Sequence, residues 1–147
     1  MSSKPFGGVS EQSRAGIHRR ADAQALFEKG RWRGAMYLAG YALECRLKSG
    51  LMQKYKCRDL DELEVQLKSR GLISGDATVY DHRLELYLKA AGALVRLRDN
   101  PSPWRRFNVV NRWLPSWRYN PDLSNAEDAQ DFLAAVDDIL HWIDGNL

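Results

Sequence analysis
Long apolar runs are missing from this sequence of 147 residues. No stretch approaches the ~18 to 20 uninterrupted apolar residues of a membrane span, and the opening MSSKPFGGVSEQ lacks the apolar centre of a secretory signal. A cytoplasmic location without a membrane partner is therefore expected. Sustained two-residue alternation is absent as well, so strands are not expected. Cysteine is scarce. Cys45 and Cys57 stand twelve apart with no second pair, which excludes a disulfide framework and a zinc site and leaves two ordinary thiols, Cys45 packed in a helix. No Gly-rich phosphate loop, nucleophile elbow or metal-ligand spacing occurs, so neither metal nor cofactor is expected.

Basic residues are missing from one region only. Residues 120–147 contain seven acids and no Lys or Arg, whereas residues 82–119 contain eight Lys and Arg against two acids. Two arrangements follow from this asymmetry. Either the acidic final segment lies beside the basic one and neutralises it, or the basic segment faces a nucleotide or RNA while the acidic one faces a partner protein.

What is present is helical punctuation. Residues 1–12 read as a flexible lead-in, and 13–147 as one domain of ordinary size. Ser13 can cap a first helix that stops at Gly30. A second follows at once, from about Trp32 to Tyr55. Asp59 can cap a third, Leu60 to Arg70, ended by Gly71. Residues 71–80 read as a loop, after which Asp81 opens a long helix through HRLELYLKAAGALVRLR, broken by Asn100 and Pro101. Ser102 and Pro103 start WRRFNVVNRW, which Pro115 ends. PSWRYNPDLS reads as a loop, and Ser124 with Glu127 makes a capping box for a last helix to about Asp144. Five or six helices joined by short loops predict an all-α, antiparallel up-and-down bundle.

The second helix is unusual in its face pattern. Met36, Gly40, Leu43 and Leu47 form one apolar face, while Ala35, Leu38, Ala42 and Cys45 cover most of the rest, so neighbours must wrap it. Arg33, Tyr37, Glu44 and Lys48 fall within roughly 60° of arc. A narrow polar strip on a buried helix needs partners, because an unpaired buried charge is costly. Glu44 and Lys48 have the favourable i,i+4 order and can satisfy each other. Arg46 alone projects elsewhere. Mid-helix glycine costs about 1 kcal/mol relative to alanine, so Gly34 and Gly40 predict close approach of another backbone.

The stretch HRRADAQALFEKGRWRGAMYLAGYALECRLKS resembles the opening two helices of HEPN-domain proteins, prokaryotic helical modules often encoded beside minimal nucleotidyltransferases. The specific part of that likeness is Ala35, Tyr37, Leu38, Ala39, Gly40, Tyr41, Ala42, Glu44, Cys45, Leu47 and Lys48. Asp22, Ala23 and Leu26 in the first helix, and Gly30 with Trp32 at the turn, add to it. Downstream, DHRLELYLKAAGAL resembles the family's His-x-Leu segment, and WRYNPD its Arg-Tyr loop. The resemblance covers about residues 14–143. It implies a helical bundle of the HEPN type with an extra short helix, a homodimer, and a nucleotidyltransferase partner in a toxin–antitoxin or defence setting. Family ribonucleases use Arg-x(4–6)-His, which this chain lacks. Arg14 precedes His18 by only three intervening residues, His82 and His141 have no arginine at that distance, and Arg118 and Tyr119 are followed by Asn120, Pro121 and Asp122.

The candidate residues can still be weighed one by one. His18 and Asp22 are an i,i+4 pair in which Asp22 could orient a base, or a plain bundle contact. His82, beside the Asp81 cap and on the row of Leu86 and Lys89, is either an anion contact at a helix start or a capping neighbour. His141, among Asp137, Asp138 and Asp144, reads as solvated. Arg105, Arg106, Arg112 and Arg118 interleave with Trp104, Phe107, Trp113, Trp117 and Tyr119, which suits stacking on a base and gripping a phosphate. Phe107, Val110 and Trp113 equally read as core.

The leading expectation is a nucleotide- or RNA-binding module with Glu44, Lys48, Arg105, Arg112, Arg118 and Tyr119 at its ligand site. The catalytic candidates are His18, Asp22 and His82. The alternatives are a structural homodimerisation domain without ligand, and a metal-independent RNase with a rearranged site joining His82 to Arg118.

Overall fold
A computed structural model describes residues 7–119 and 124–147, with the side chains of 118 and 119 outside that description. The described chain is all-helical: α1 (Val9–Glu28), α2 (Trp32–Lys54), α3 (Leu60–Ser69), α4 (Leu84–Ala90), α5 (Leu94–Arg98), α6 (Pro101–Val110) and α7 (Ala126–Asn146), with a 3-10 turn at Pro115–Tyr119. No strand occurs among the described residues, where one isolated bridge joins Gly8 to Asp59.

Local chemistry accounts for most of the boundaries. Gly30, at φ +75°, ends the α1 turn and lets α2 reverse direction. Asp59 caps α3 by accepting from the Glu62 amide at 2.9 Å. Pro101 sits in the first turn of α6, where a missing N–H is harmless.

Five expected boundaries are corrected. α1 starts at Val9 behind Gly8 rather than at Ser13, so residues 9–12 are helix and not lead-in. The long helix expected from Asp81 starts only at Leu84 and is cut at Gly92, whose φ of +71° breaks it into α4 and α5. Asp81 instead turns its carboxylate back to the Thr78 amide. α6 begins at Pro101 behind Asn100, not at Ser102, and ends at Val110, well before Pro115, which opens the 3-10 turn. α7 is capped by Asn125, which accepts from the Asp128 amide at 2.7 Å, rather than by Ser124.

The contacts fix the directions. Gly16 of α1 faces Ala42 and Cys45 of α2, whereas Leu26 faces Gly34, so the two helices are antiparallel. Trp117 touches both Arg33 and Phe132, and Arg46 reaches Asp144, so α2 and α7 run the same way. Arg96 bonds the Asn146 carbonyl and Arg106 bonds Asp138, so α5 and α6 run back along α7. The result is an up-and-down bundle with α2 innermost. Fourteen of its 23 residues are buried, and it packs on α1, α3, α4 and α7. Leu43, Leu47, Leu51, Leu88, Phe107, Val136 and Ile139 are among the residues filling the core around it.

The α2 glycines differ from expectation. At neither Gly34 nor Gly40 is the nearest neighbour another backbone. A Cβ at Gly40 would lie 2.1 Å from the Trp113 indole, and one at Gly34 would lie 3.2 Å from the end of Leu26. The close backbone approach belongs to Gly16, where a Cβ would lie 3.3 Å from the Ala42 carbonyl. Cys45 is buried as expected, and burial pushes its thiol up to about 12.

Gly40→Ala must displace an indole whose Nε1 donates to the Tyr37 carbonyl at 3.0 Å. It is expected to lower stability by about 1–3 kcal/mol. Gly34→Ala asks only the tip of a leucine to shift while gaining helix propensity, and it is expected to be neutral or stabilising by up to about 1 kcal/mol. Urea denaturation of the two variants checks the contrast, which equal losses would contradict.

Candidate functional site
The polar strip of α2 is present and is organised by what surrounds it. At its lower end, Glu44 and Lys48 are both buried, with side chains 2% and 5% exposed. Glu44 Oε2 accepts from Lys48 Nζ at 3.2 Å, while Oε1 lies 2.7 Å from His82 Nδ1. A carboxylate only accepts, so the shared hydrogen sits on Nδ1 and the other ring nitrogen, Nε2, is left for something else. The His82 side chain is 42% exposed. Lys48 Nζ also lies 5.6 Å from the Tyr87 ring and 6.0 Å from the Tyr80 ring, which adds cation–π attraction to the ion pair.

Three helices hold His82 in place. Its backbone is left-handed, φ +57°, a conformation few residues other than glycine adopt. The strain is held by Tyr87 of α4, which accepts from the His82 amide at 3.0 Å and donates to the Val79 carbonyl at 2.9 Å. Glu64 of α3 grips the same loop through the Thr78 hydroxyl and the Val79 amide. Glu44 of α2 takes the ring. Burial, reinforced by the Glu44 charge, pushes the Tyr87 hydroxyl far up, so it stays a neutral donor.

Tyr41 and Tyr37 continue the strip toward its upper end. Tyr41 is half-buried, and its hydroxyl is raised by burial first, then by Cys45, Glu44 and Tyr37, with Arg19 of α1 acting in the opposite sense. Tyr37 stacks on Trp113 at 6.2 Å and lies 6.3 Å from Tyr41. Arg33 lies 4.9 Å above Trp117, and its Nε is buried with no hydrogen-bond partner among the described residues. Arg112, two residues past the end of α6 and next in sequence to Trp113, is exposed.

The structure sorts the remaining expected residues. Arg105 and Arg112 are exposed and make no ion pair among the described residues, while Phe107, Val110 and Trp113 are core. The neutralising charge arrangement holds only in part. Arg106 pairs with Asp138 at 2.7 Å, but Asp137 and Asp144 pair with Arg20 of α1 and Arg46 of α2, leaving Arg105 and Arg112 unneutralised.

His18 is corrected: Asp22 lies 3.2 Å from Arg19 rather than orienting the histidine, which is exposed. His82 is corrected too, being a loop residue bound to Glu44 and not a helix-start neighbour of Lys89. His141 is exposed, as expected. The side chains of Arg118 and Tyr119 lie outside the described residues. Sequence reasoning missed the link from Glu44 to His82, since 38 positions separate them and His82 shows no periodic signal. No group of His, Cys, Asp and Glu that could hold a metal ion occurs among the described residues. Among the described residues, no helix is long and apolar enough to cross a membrane.

No family model, no curated protein and no solved structure matches the chain. The chemistry is therefore read from the geometry alone. A half-open imidazole, oriented by a buried carboxylate, can donate to an anion when protonated or accept a proton when neutral.

Glu44→Leu strands the buried Lys48 cation and is expected to cost about 3–5 kcal/mol. Glu44→Leu with Lys48→Met removes both charges and is expected to recover most of that loss. Denaturation midpoints of the two variants provide the check, and a double variant as unstable as the single one would contradict the pairing.

Proposed function
We propose that the protein is a nucleotide- or RNA-binding module that seats a phosphate-bearing ligand along the α2 strip and works with a nucleotidyltransferase-type partner in a toxin–antitoxin or defence setting. The observation that carries the ligand half of this reading is His82, half-open and held by buried Glu44, with no partner on Nε2 among the described residues. With His82 protonated, Glu44, Lys48 and His82 sum to one positive charge, which suits a phosphate oxygen. Half-buried Tyr37 and exposed Arg112 would add a ring and a second cation. The partner half rests on the HEPN resemblance alone. A homodimerisation domain without ligand is what remains if binding fails.

The Glu44–His82 pair also favours a second reading, an RNase with a rearranged site. There His82 Nε2 takes the proton of a ribose 2′-hydroxyl, the 2′-oxygen attacks phosphorus, and the bond to the 5′-oxygen breaks. A 2′,3′-cyclic phosphate results, and the departing oxygen takes its proton from water. Arg118 is the phosphate holder in this scheme.

Titration with nucleotides and short RNA at low salt tests the first reading. Saturable binding is expected, weakened by His82→Ala and by the Arg105→Ala, Arg112→Ala pair. The slope of log affinity against log salt is expected to flatten by about one for each phosphate-neutralising cation removed. Absence of binding at low salt would remove this reading. Incubation with total RNA tests the second: cleavage by the wild type must fall in His82→Ala, Glu44→Gln and Arg118→Ala, and equal cleavage by all four proteins would reject it.

A further inference from the structure
The Glu44–His82 pair borders only one side of the α2 strip, and helical register brings α1 to the other. Gly16 of α1 lies against Ala42 and Cys45 of α2, and because the two helices are antiparallel, Arg19, one turn further on, comes to Tyr41. Both titratable groups on that part of α2 sense it. Burial first raises the Tyr41 hydroxyl and the Cys45 thiol, the Glu44 charge adds to the rise in each, and Arg19 opposes it in each. At 100° per residue, Tyr41 lies about 40° round α2 from Cys45 and about 60° from Glu44, between the two. The half-buried Tyr41 ring therefore has Arg19 on its α1 side and the Glu44–His82 pair on the opposite side.

Each of the three groups keeps hydrogen-bonding capacity that the chain does not use. Arg19 Nε is buried without a hydrogen-bond partner among the described residues; Asp22 Oδ2 stands 3.2 Å away, close enough for ionic attraction but at an angle that makes no hydrogen bond. The Tyr41 hydroxyl makes no hydrogen bond among the described residues, and its raised pKa keeps it a neutral donor. His82 Nε2 has no partner there either. Donors left unpaired at a partly buried surface are costly, and three that border one ring call for the same kind of acceptor, an oxyanion. The acids nearby do not supply it. Glu44 is taken up by Lys48 and His82, and the Asp22 side chain, 53% exposed, is free to turn into water when another anion reaches Arg19.

We propose, resting on the phosphate-binding reading, that Arg19, Tyr41 and His82 form a seat for a terminal phosphate group, a monoester rather than a bridging diester, and that Asp22 restrains its affinity by pairing with Arg19. A phosphate monoester offers three free oxygens and close to two negative charges at neutral pH, whereas a diester offers two and one. Donors from α1, α2 and the loop before α4 answer three oxygens from three sides. Arg19 also adds a charge to the single positive one summed over Glu44, Lys48 and protonated His82, which brings the seat level with a dianion once Asp22 has turned away.

The test is the binding of one short RNA in two forms, 5′-phosphorylated and 5′-hydroxyl, to the full chain at low salt, read by fluorescence anisotropy with circular dichroism as the fold control. The wild type is expected to hold the phosphorylated form roughly tenfold more tightly, and inorganic phosphate to erase that advantage. Arg19→Gln and Tyr41→Phe are each expected to narrow the gap between the two forms, and Asp22→Asn to widen it. Arg14→Gln, exposed on α1 but outside the seat, is expected to leave the gap unchanged. Equal affinity for the two forms, a gap that inorganic phosphate leaves intact, or a full gap in folded Arg19→Gln and Tyr41→Phe overturns the seat while leaving RNA binding in place. So does a gap lost equally in Arg14→Gln. Binding of neither form removes the phosphate-binding reading and the seat together.

Discussion
A buried carboxylate is the costliest ordinary group to place inside a helical bundle, and Glu44 stands on the innermost helix with its side chain 2% exposed. Each of its oxygens has its own partner, Lys48 one turn along the same helix and His82 from a loop 38 residues later. That requirement reaches outward. Lys48 needs the rings of Tyr80 and Tyr87 around its ammonium, and His82 needs a left-handed turn, which Tyr87 and Glu64 hold. The loop between α3 and α4 is thereby tied to α2 by buried polar bonds, whereas the core of the rest of the bundle is chiefly leucine and alanine.

The opposite end of α2 solves a different problem. An indole fits over the central helix because Gly40 leaves a notch, and Trp113 then carries Tyr37 by stacking and by a bond to its carbonyl. The two ends thus differ in character, ionic below and aromatic above, along one line of side chains.

How much of this the sequence discloses depends on the range of the interaction. Helical punctuation at Gly30, Asp59 and Gly71, and the i,i+4 pair of Glu44 and Lys48, act within a turn or two and are legible. The start of α1 at Val9 is not, since Gly8 caps it without a side-chain signal and the bridge to Asp59 comes from far along the chain. The break at Gly92 reads as an ordinary helical glycine in the sequence, and only the structure shows its left-handed form. The same holds for the candidate site. Glu44 and Lys48 announce themselves by standing polar on an apolar helix, and they satisfy each other as a structural pair would. His82 gains its meaning only from Glu44, through space.

The uneven placement of charge also orders events in time. All 22 Lys and Arg precede residue 120, along with 12 of the 19 acids, so the first 119 residues alone carry a surplus of ten positive charges. α7 answers Arg20, Arg46 and Arg106 on three different helices. Because synthesis runs from the N-terminus, the surplus of ten is made first and falls to +3 only when residues 120–147, which contribute the last helix of the core, are added.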